Sequence, residues 1–133
     1  MNLLLDTHVW IWSQESPERL GELARERLSN TANVLYVSTI STLEIARLVE
    51  GGVIELKGTV ASWIRRSTDA LRSRTVEVSH DIAMAAYALP EGFHRDPADR
   101  ILVATARRLN LTLVTADERI LTSSCLRTLD ART

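Results

Sequence analysis

Asn2-Leu3-Leu4-Leu5-Asp6-Thr7 and Thr112-Leu113-Val114-Thr115-Ala116-Asp117 share one construction. Each is a short, mostly apolar run that leads within three residues to an aspartate. A strand with one wet face alternates apolar and polar residues. A continuous apolar run suits a strand covered on both faces, as in a parallel sheet between helices. The rest of the chain fits that frame. Ser16-Pro17-Glu18 begins a helix reaching about Ser29, with serine as cap and proline in the first turn. Val34-Leu35-Tyr36-Val37 reads as the second strand. A helix from about Ser41 to Glu50 ends at Gly51-Gly52, and another runs from about Thr59 to Arg72. Thr75 to Val78 is the third strand, and Ser79 caps a helix to about Leu89. Asp96 to Leu109 and Glu118 to Leu121 are helical, and the last strand lies near Leu126 to Leu129. Strands separated mostly by helices predict an α/β fold with a parallel sheet. The length predicts a single domain over residues 1–133.

Composition narrows the function classes. The chain has 133 residues, 45% of them hydrophobic, enough for a core that needs no disulfide or metal staple. No apolar run approaches the ~20 residues of a membrane span, and no signal-peptide pattern opens the chain. Cys125 is the only cysteine, so an intramolecular disulfide is excluded and a reducing cytoplasm is the expected location. Sixteen cations against 17 acids leave a formal charge of −1, which excludes binding to nucleic acid through bulk positive charge. Lys57 is the only lysine. Biased genomic composition is the plainer cause of that count, although arginine forks also suit phosphate oxygens.

In open α/β sheets, ligands bind beyond the carboxyl ends of the strands, so the polar residues just after each strand decide the function. Asp6 directly follows the first strand, and Asp117 follows the fourth by three positions. Each also reads as a helix cap. Asp96-Pro97-Ala98-Asp99 opens the strongest helix, with Asp96 as its cap. Asp99 shares a helical face with Val103 and Ala106 and is expected to point inward. Glu44 follows Ser41 by three residues, which spells a capping box, yet it shares a face with Leu48 and lies close after the second strand.

Four carboxylates in one crevice would repel one another, and a divalent cation relieves that repulsion. An all-oxygen donor set favours Mg²⁺-like ions, and the scattered His8, His80 and His94 have no zinc spacing. Phosphodiester hydrolysis is the chemistry that such a site performs best. Thr7, Ser38 and Thr115 border strand ends and could orient a carboxylate, and His94 could assist proton transfer. Each has a bland alternative in local backbone bonding or a surface loop. Trp10 and Trp12 read equally as core or as an exposed patch for a partner segment.

The segments LLLDTHVWIW (3–12), STISTLEIARL (38–48), HRDPADRILVATA (94–106) and LVTADERI (113–120) resemble, in order, those of a PIN domain, and within that superfamily a VapC-type toxin of type II toxin–antitoxin pairs. The resemblance implies a PIN-like three-layer sandwich whose central parallel sheet is ordered 3-2-1-4-5. It also implies a Mg²⁺- or Mn²⁺-dependent endoribonuclease that leaves 5′-phosphate and 3′-hydroxyl ends, a VapB-type antitoxin partner, and a homodimer. Asp6, Glu44, Asp99 and Asp117 match the family's four acids, and Asp96 matches a further acid found in many members. Arg65, Arg66, Arg107 and Arg108 are candidates for RNA phosphate contacts, against a solvated helix face as the alternative.

Three other readings compete. A receiver-type signalling domain expects a lysine after the last strand, whereas Lys57 lies far upstream. A haloacid-dehalogenase-type phosphatase expects Asp-x-Asp where this chain has Asp6-Thr7-His8. A PIN-like scaffold that binds RNA or a partner without cleaving is the third.

Overall fold

A computed structural model describes residues 1–90 and 92–133. Its elements follow in the order β1 (Asn2–Leu5), α1 (Thr7–Glu15), a 3-10 turn (Pro17–Arg19), α2 (Glu22–Ser29), β2 (Val34–Ser38), α3 (Thr39–Glu50) and α4 (Val60–Leu71). Then come β3 (Arg74–Val76), α5 (His80–Ala85), α6 (Pro97–Leu109), β4 (Thr112–Thr115), α7 (Glu118–Leu121) and β5 (Thr128–Asp130). The five strands form one parallel sheet in the order β3-β2-β1-β4-β5. The expected α/β sandwich and strand order are therefore present. From β1 the chain builds outward through β2 and β3, then crosses back to β4 and β5, so the order reverses between β1 and β4. Leu5 pairs with Val114 there, and the Asp6 N–H donates to the Val114 carbonyl at 3.0 Å. The ladder thus delivers Asp6 to the mouth of the crevice at the switch point.

The apolar runs have the predicted cause. Successive residues of a strand face opposite ways. Leu3 and Leu5 enter one core with Leu35, Val37, Trp10, Ile45 and Trp63. Leu4 enters the other with Leu113, Leu102, Val103, Ala106 and Ile120. Leu3, Leu4 and Leu5 are all fully buried, each side chain contributing roughly 1.5–3 kcal/mol relative to exposure. Trp10 is core and not a partner patch: it is 1% exposed, and its indole N–H donates to Ser67 Oγ at 3.0 Å.

Several element boundaries differ from expectation. The helix expected from Pro17 to Ser29 is broken, because Leu20 turns into the core and Gly21 adopts an extended conformation. The Gly21 N–H donates to the Ala131 carbonyl and the Leu23 N–H to that of Thr133. A side chain at Gly21 would collide with the Thr133 backbone, so only glycine lets this segment dock. The helix expected to reach Leu89 ends at Ala85. Pro90 has no N–H with which to continue it by bonding the Ala86 carbonyl, and the Arg100 Nη1 donates to that carbonyl at 3.0 Å instead. The edge strands β3 and β5 sit one or two residues from their expected places. No helix among the described residues is long and apolar enough to cross a membrane.

Candidate active site

The acids converge at the carboxyl end of the sheet because strand ends and helix starts coincide there. Asp6 is the N-cap of α1, Asp96 of α6 and Asp117 of α7. The cap and site readings are therefore not alternatives. A cap stands at the first turn of a helix that leaves the sheet end, and its carboxylate stays beside the strand it follows.

Asp6 is the buried centre of the group, at 8% exposure. Its Oδ1 accepts from the Thr7 N–H at 2.7 Å and its Oδ2 from the Thr115 hydroxyl at 2.6 Å. Burial pushes its pKa above the usual range. The Thr115 and Thr7 bonds and nearby His8 only partly offset this, and the Asp117 charge adds to it. The Thr115 hydroxyl also accepts the Asp117 N–H at 3.1 Å, joining the two strand ends of the switch point.

The Ser41–Glu44 capping box does not form. Ser38 is the true cap of α3, its hydroxyl accepting the Ile40 N–H at 3.1 Å, so the helix begins at Thr39. Among the described residues Ser38 bonds none of the acids. Glu44 instead accepts a short hydrogen bond from the Thr7 hydroxyl. That hydroxyl has one proton to give, so buried Ser41, with its Oγ 2.8 Å from Thr7 Oγ1, is left as donor to Thr7. The Glu44 pKa is raised, first by burial and further by the Asp6 and Asp96 charges, against the Thr7 bond.

Asp99 points inward as its helical face predicts, its side chain 14% exposed, while Val103 and Ala106 lie in the core. His94 Nε2 lies 2.7 Å from Asp99 Oδ2. Burial raises the Asp99 pKa to about 6; the His94 bond opposes the rise, and the Asp6 and Asp96 charges reinforce it. Asp96 is exposed and accepts the Asp99 N–H at 3.0 Å. Asp117 behaves oppositely. Its modest burial is outweighed by hydrogen bonds from the Arg119 side chain and backbone, and its pKa falls below the usual range.

His94, Asp99 and Asp117 each offer a donor atom within 4.8 Å of the others. Asp6 adjoins Asp99 and Asp117 closely enough for the charges to be felt, and Glu44 adjoins Asp6 and Asp96 in the same way. A set of carboxylates strained toward protonation fits a hard divalent cation, whose charge would remove the strain. The donors suit Mg²⁺ or Mn²⁺ chemistry better than zinc, as only one imidazole is present among them.

Two residues of the site have no distinguishing signal in the sequence. Arg119 lays its guanidinium on Asp117, and Arg100 holds the loop that carries His94. Arg100 donates to the carbonyls of His94 and Phe93 at 3.0 Å and stacks 5.0 Å from the Tyr87 ring centroid. Three of the four arginines nominated for phosphate have other surroundings. Arg107 lies about 12 Å along α6 from Asp99, toward the amino end of β4, and Arg108 pairs with Asp81 at 3.7 Å. Arg66 is tied to the Lys57 and Ser62 carbonyls. Arg47, on α3, lines an open groove of about 730 Å³ beside Glu44 and Asp96.

Comparison with known proteins agrees with this architecture. Residues 3–122 match the PIN domain family model. The chain is 39% identical to ribonuclease VapC22 of Mycobacterium tuberculosis over 118 residues, covering 89% of this chain and 88% of that protein. Among solved structures, VapBC of Salmonella typhimurium aligns with a TM-score of 0.68 at 19% identity, over 98% of each chain. VapBC-1 of nontypeable Haemophilus influenzae aligns at 0.68 and 19%, over 100% of each. Those two likenesses speak to the fold, and the identity to VapC22 adds the sequence. Sheet order, switch-point acids and sequence together establish that the chain belongs to the PIN-domain family, in its VapC-type branch.

Proposed function

We propose that the chain is a Mg²⁺- or Mn²⁺-dependent endoribonuclease and the toxin of a VapBC-type pair, acting in the cytoplasm. Residues 1–133 are taken as a single PIN domain. The observation that carries the reading is the group of Asp6, Glu44 and Asp99, all with raised proton affinity, at the sheet's switch point. Its companion is the identity to a protein named as a ribonuclease. All four acids expected of the family are present in the group, which favours chemistry over a silent binding scaffold.

Asp6, Glu44, Asp99 and Asp117 would hold the cation, with Asp96 at the margin. When bound, it supplies acidified water and charge neutralisation at the phosphate. The chain's own residues do the rest. Thr7 and Thr115 fix the carboxylates of Glu44 and Asp6, leaving lone pairs for the site. His94 Nε2 and Asp99 Oδ2 share a proton position at the rim. Arg47, on the groove beside Glu44, is poised for an RNA phosphate.

The same groove, with Leu43 64% exposed along it, suits an apolar segment of a VapB-type antitoxin better than buried Trp10 does. Homodimerisation belongs to this reading and is checked by light scattering on the purified chain. The deciding experiment incubates purified protein with total RNA, with and without Mg²⁺ or Mn²⁺, beside Asp6→Asn. Cleavage is expected only from the unsubstituted protein with cation. Cleavage that survives both EDTA and the substitution overturns the proposal.

A further inference from the structure

The acidic group carries a cation of its own. Arg119 Nε and Nη2 lie 3.3 and 3.0 Å from the two oxygens of Asp117, a side-on pairing that engages the whole carboxylate. The same Nη2 reaches within 3.6 Å of Asp99 Oδ2, so one guanidinium bridges two acids of the site. Asp6, Glu44 and Asp96 have no Lys or Arg within ion-pair distance among the described residues, which leaves Arg119 as the group's only such partner.

Exposure shows which partner can move. The Asp99 and Asp117 side chains are 14% and 23% exposed and are further held by His94 and by the cap of α7. The Arg119 side chain is 60% exposed and lies over them from outside. Among the described residues its side chain makes polar contacts only with Asp117 and Asp99.

A divalent cation ligated by Asp99 and Asp117 would need oxygens that this guanidinium now engages. It would also meet an arginine's charge at close range. Resting on the metal-dependent reading above, we propose that Arg119 is the resident counter-ion of the site, displaced from Asp99 and Asp117 when a divalent cation binds. It therefore sets the cation concentration at which the site loads. The acids stay assembled without the metal because Arg119 offsets part of their repulsion. The cation must then outcompete a tethered partner.

The test is calorimetric titration of Mn²⁺ into the full chain at low ionic strength, comparing the unsubstituted protein with Arg119→Gln, Arg119→Lys and Arg25→Gln. Arg119→Gln is expected to bind Mn²⁺ about three- to tenfold more tightly, the scale of one or two exposed ion pairs. Arg119→Lys, which keeps the charge but loses the fork, is expected to fall between. Arg25, exposed on α2, is not paired with these acids, and Arg25→Gln controls for the change in net charge. Its affinity is expected to match the unsubstituted protein, and added salt to narrow the Arg119→Gln difference. Equal or weaker binding by Arg119→Gln overturns the counter-ion proposal and leaves the metal-site reading standing. An equal gain in Arg25→Gln also overturns it, because bulk charge then explains the effect. No saturable Mn²⁺ uptake by folded protein of either kind overturns the metal-site reading itself.

Discussion

Asp6 and Glu44 are held by neutral hydroxyls, whereas Asp99 and Asp117 are held by an imidazole and a guanidinium. Both halves stand at the carboxyl end of one sheet, yet they solve the burial of negative charge differently. Hydroxyl and amide donors orient a carboxylate without neutralising it, so the Asp6 and Glu44 half remains short of positive charge. Arg119 neutralises Asp117 at the rim, where water keeps the exchange of partners inexpensive. One half is thus rigid and unsatisfied, the other exchangeable. A metal site needs both properties: fixed ligands, and access for the ion.

The largest expected effect comes from removing the charge at the rigid centre. Asp6→Asn is expected to lower RNA cleavage at saturating cation by more than ~100-fold, beyond the loss typical of second-sphere changes. Without metal its melting temperature should equal or exceed that of the unsubstituted protein, since a buried charge has gone. A clear drop in melting temperature would show that the Asp6 carboxylate stabilises the fold and is not strained by it.

Thr115→Val removes the hydroxyl bridge between the two strand ends. It leaves a buried carboxylate and the Asp117 N–H short of a partner, costing about 1–3 kcal/mol in denaturant unfolding. It should also weaken cation binding by roughly 10–100-fold. Unchanged values for both would mean that the hydroxyl does not organise the rigid half.

pH separates the halves without mutation. Below its ordinary 3.8, Asp99 is protonated in folded and unfolded chains alike. Between 3.8 and about 6 only the folded chain holds the proton, and above about 6 neither does. Asp99 therefore makes the metal-free protein more stable as pH falls from about 7 through 6, with Asp6 and Glu44 acting in the same direction. The depressed pKa of Asp117 opposes this only in more acidic solution. Melting temperatures across that range should rise on acidification without divalent cation and flatten or reverse with it. Cleavage should fall over the same range as protons compete with the cation. The smallest effect is expected for His94→Gln, a several-fold loss of cleavage with its acid limb moved to higher pH, because the His94 bond holds the Asp99 pKa down.

Much of the fold was legible because the strongest local signals coincide with its centre. Leu3 to Leu5 and Leu113-Val114 are apolar on both faces because both faces are covered, and Asp96-Pro97 marks the start of α6 unambiguously. The errors fell where distant chain segments decide. Gly21 breaks a helix to admit Thr133, and Ser38 displaces Ser41 as the cap of α3 because β2 ends there. The site shows the same division. The acids could be found by their positions after strands, but the hydroxyl that holds Glu44 comes from Thr7, 37 residues away.

The sequence alone determined the α/β class, the candidate acids and the oxygen-rich donor chemistry, because strand patterning, helix caps and residue type act over a few neighbouring residues. Tertiary structure alone decided which acids are strained. Burial, the Thr115 bridge, the reach of Thr7 to Glu44 and the contact of Arg119 with Asp99 depend on groups that meet only when β1, β4, α1, α3, α6 and α7 pack together, whereas the Arg119 pairing with Asp117 spans two residues. Proton affinity and charge balance are set by those neighbours in space, so they emerge only with the folded chain.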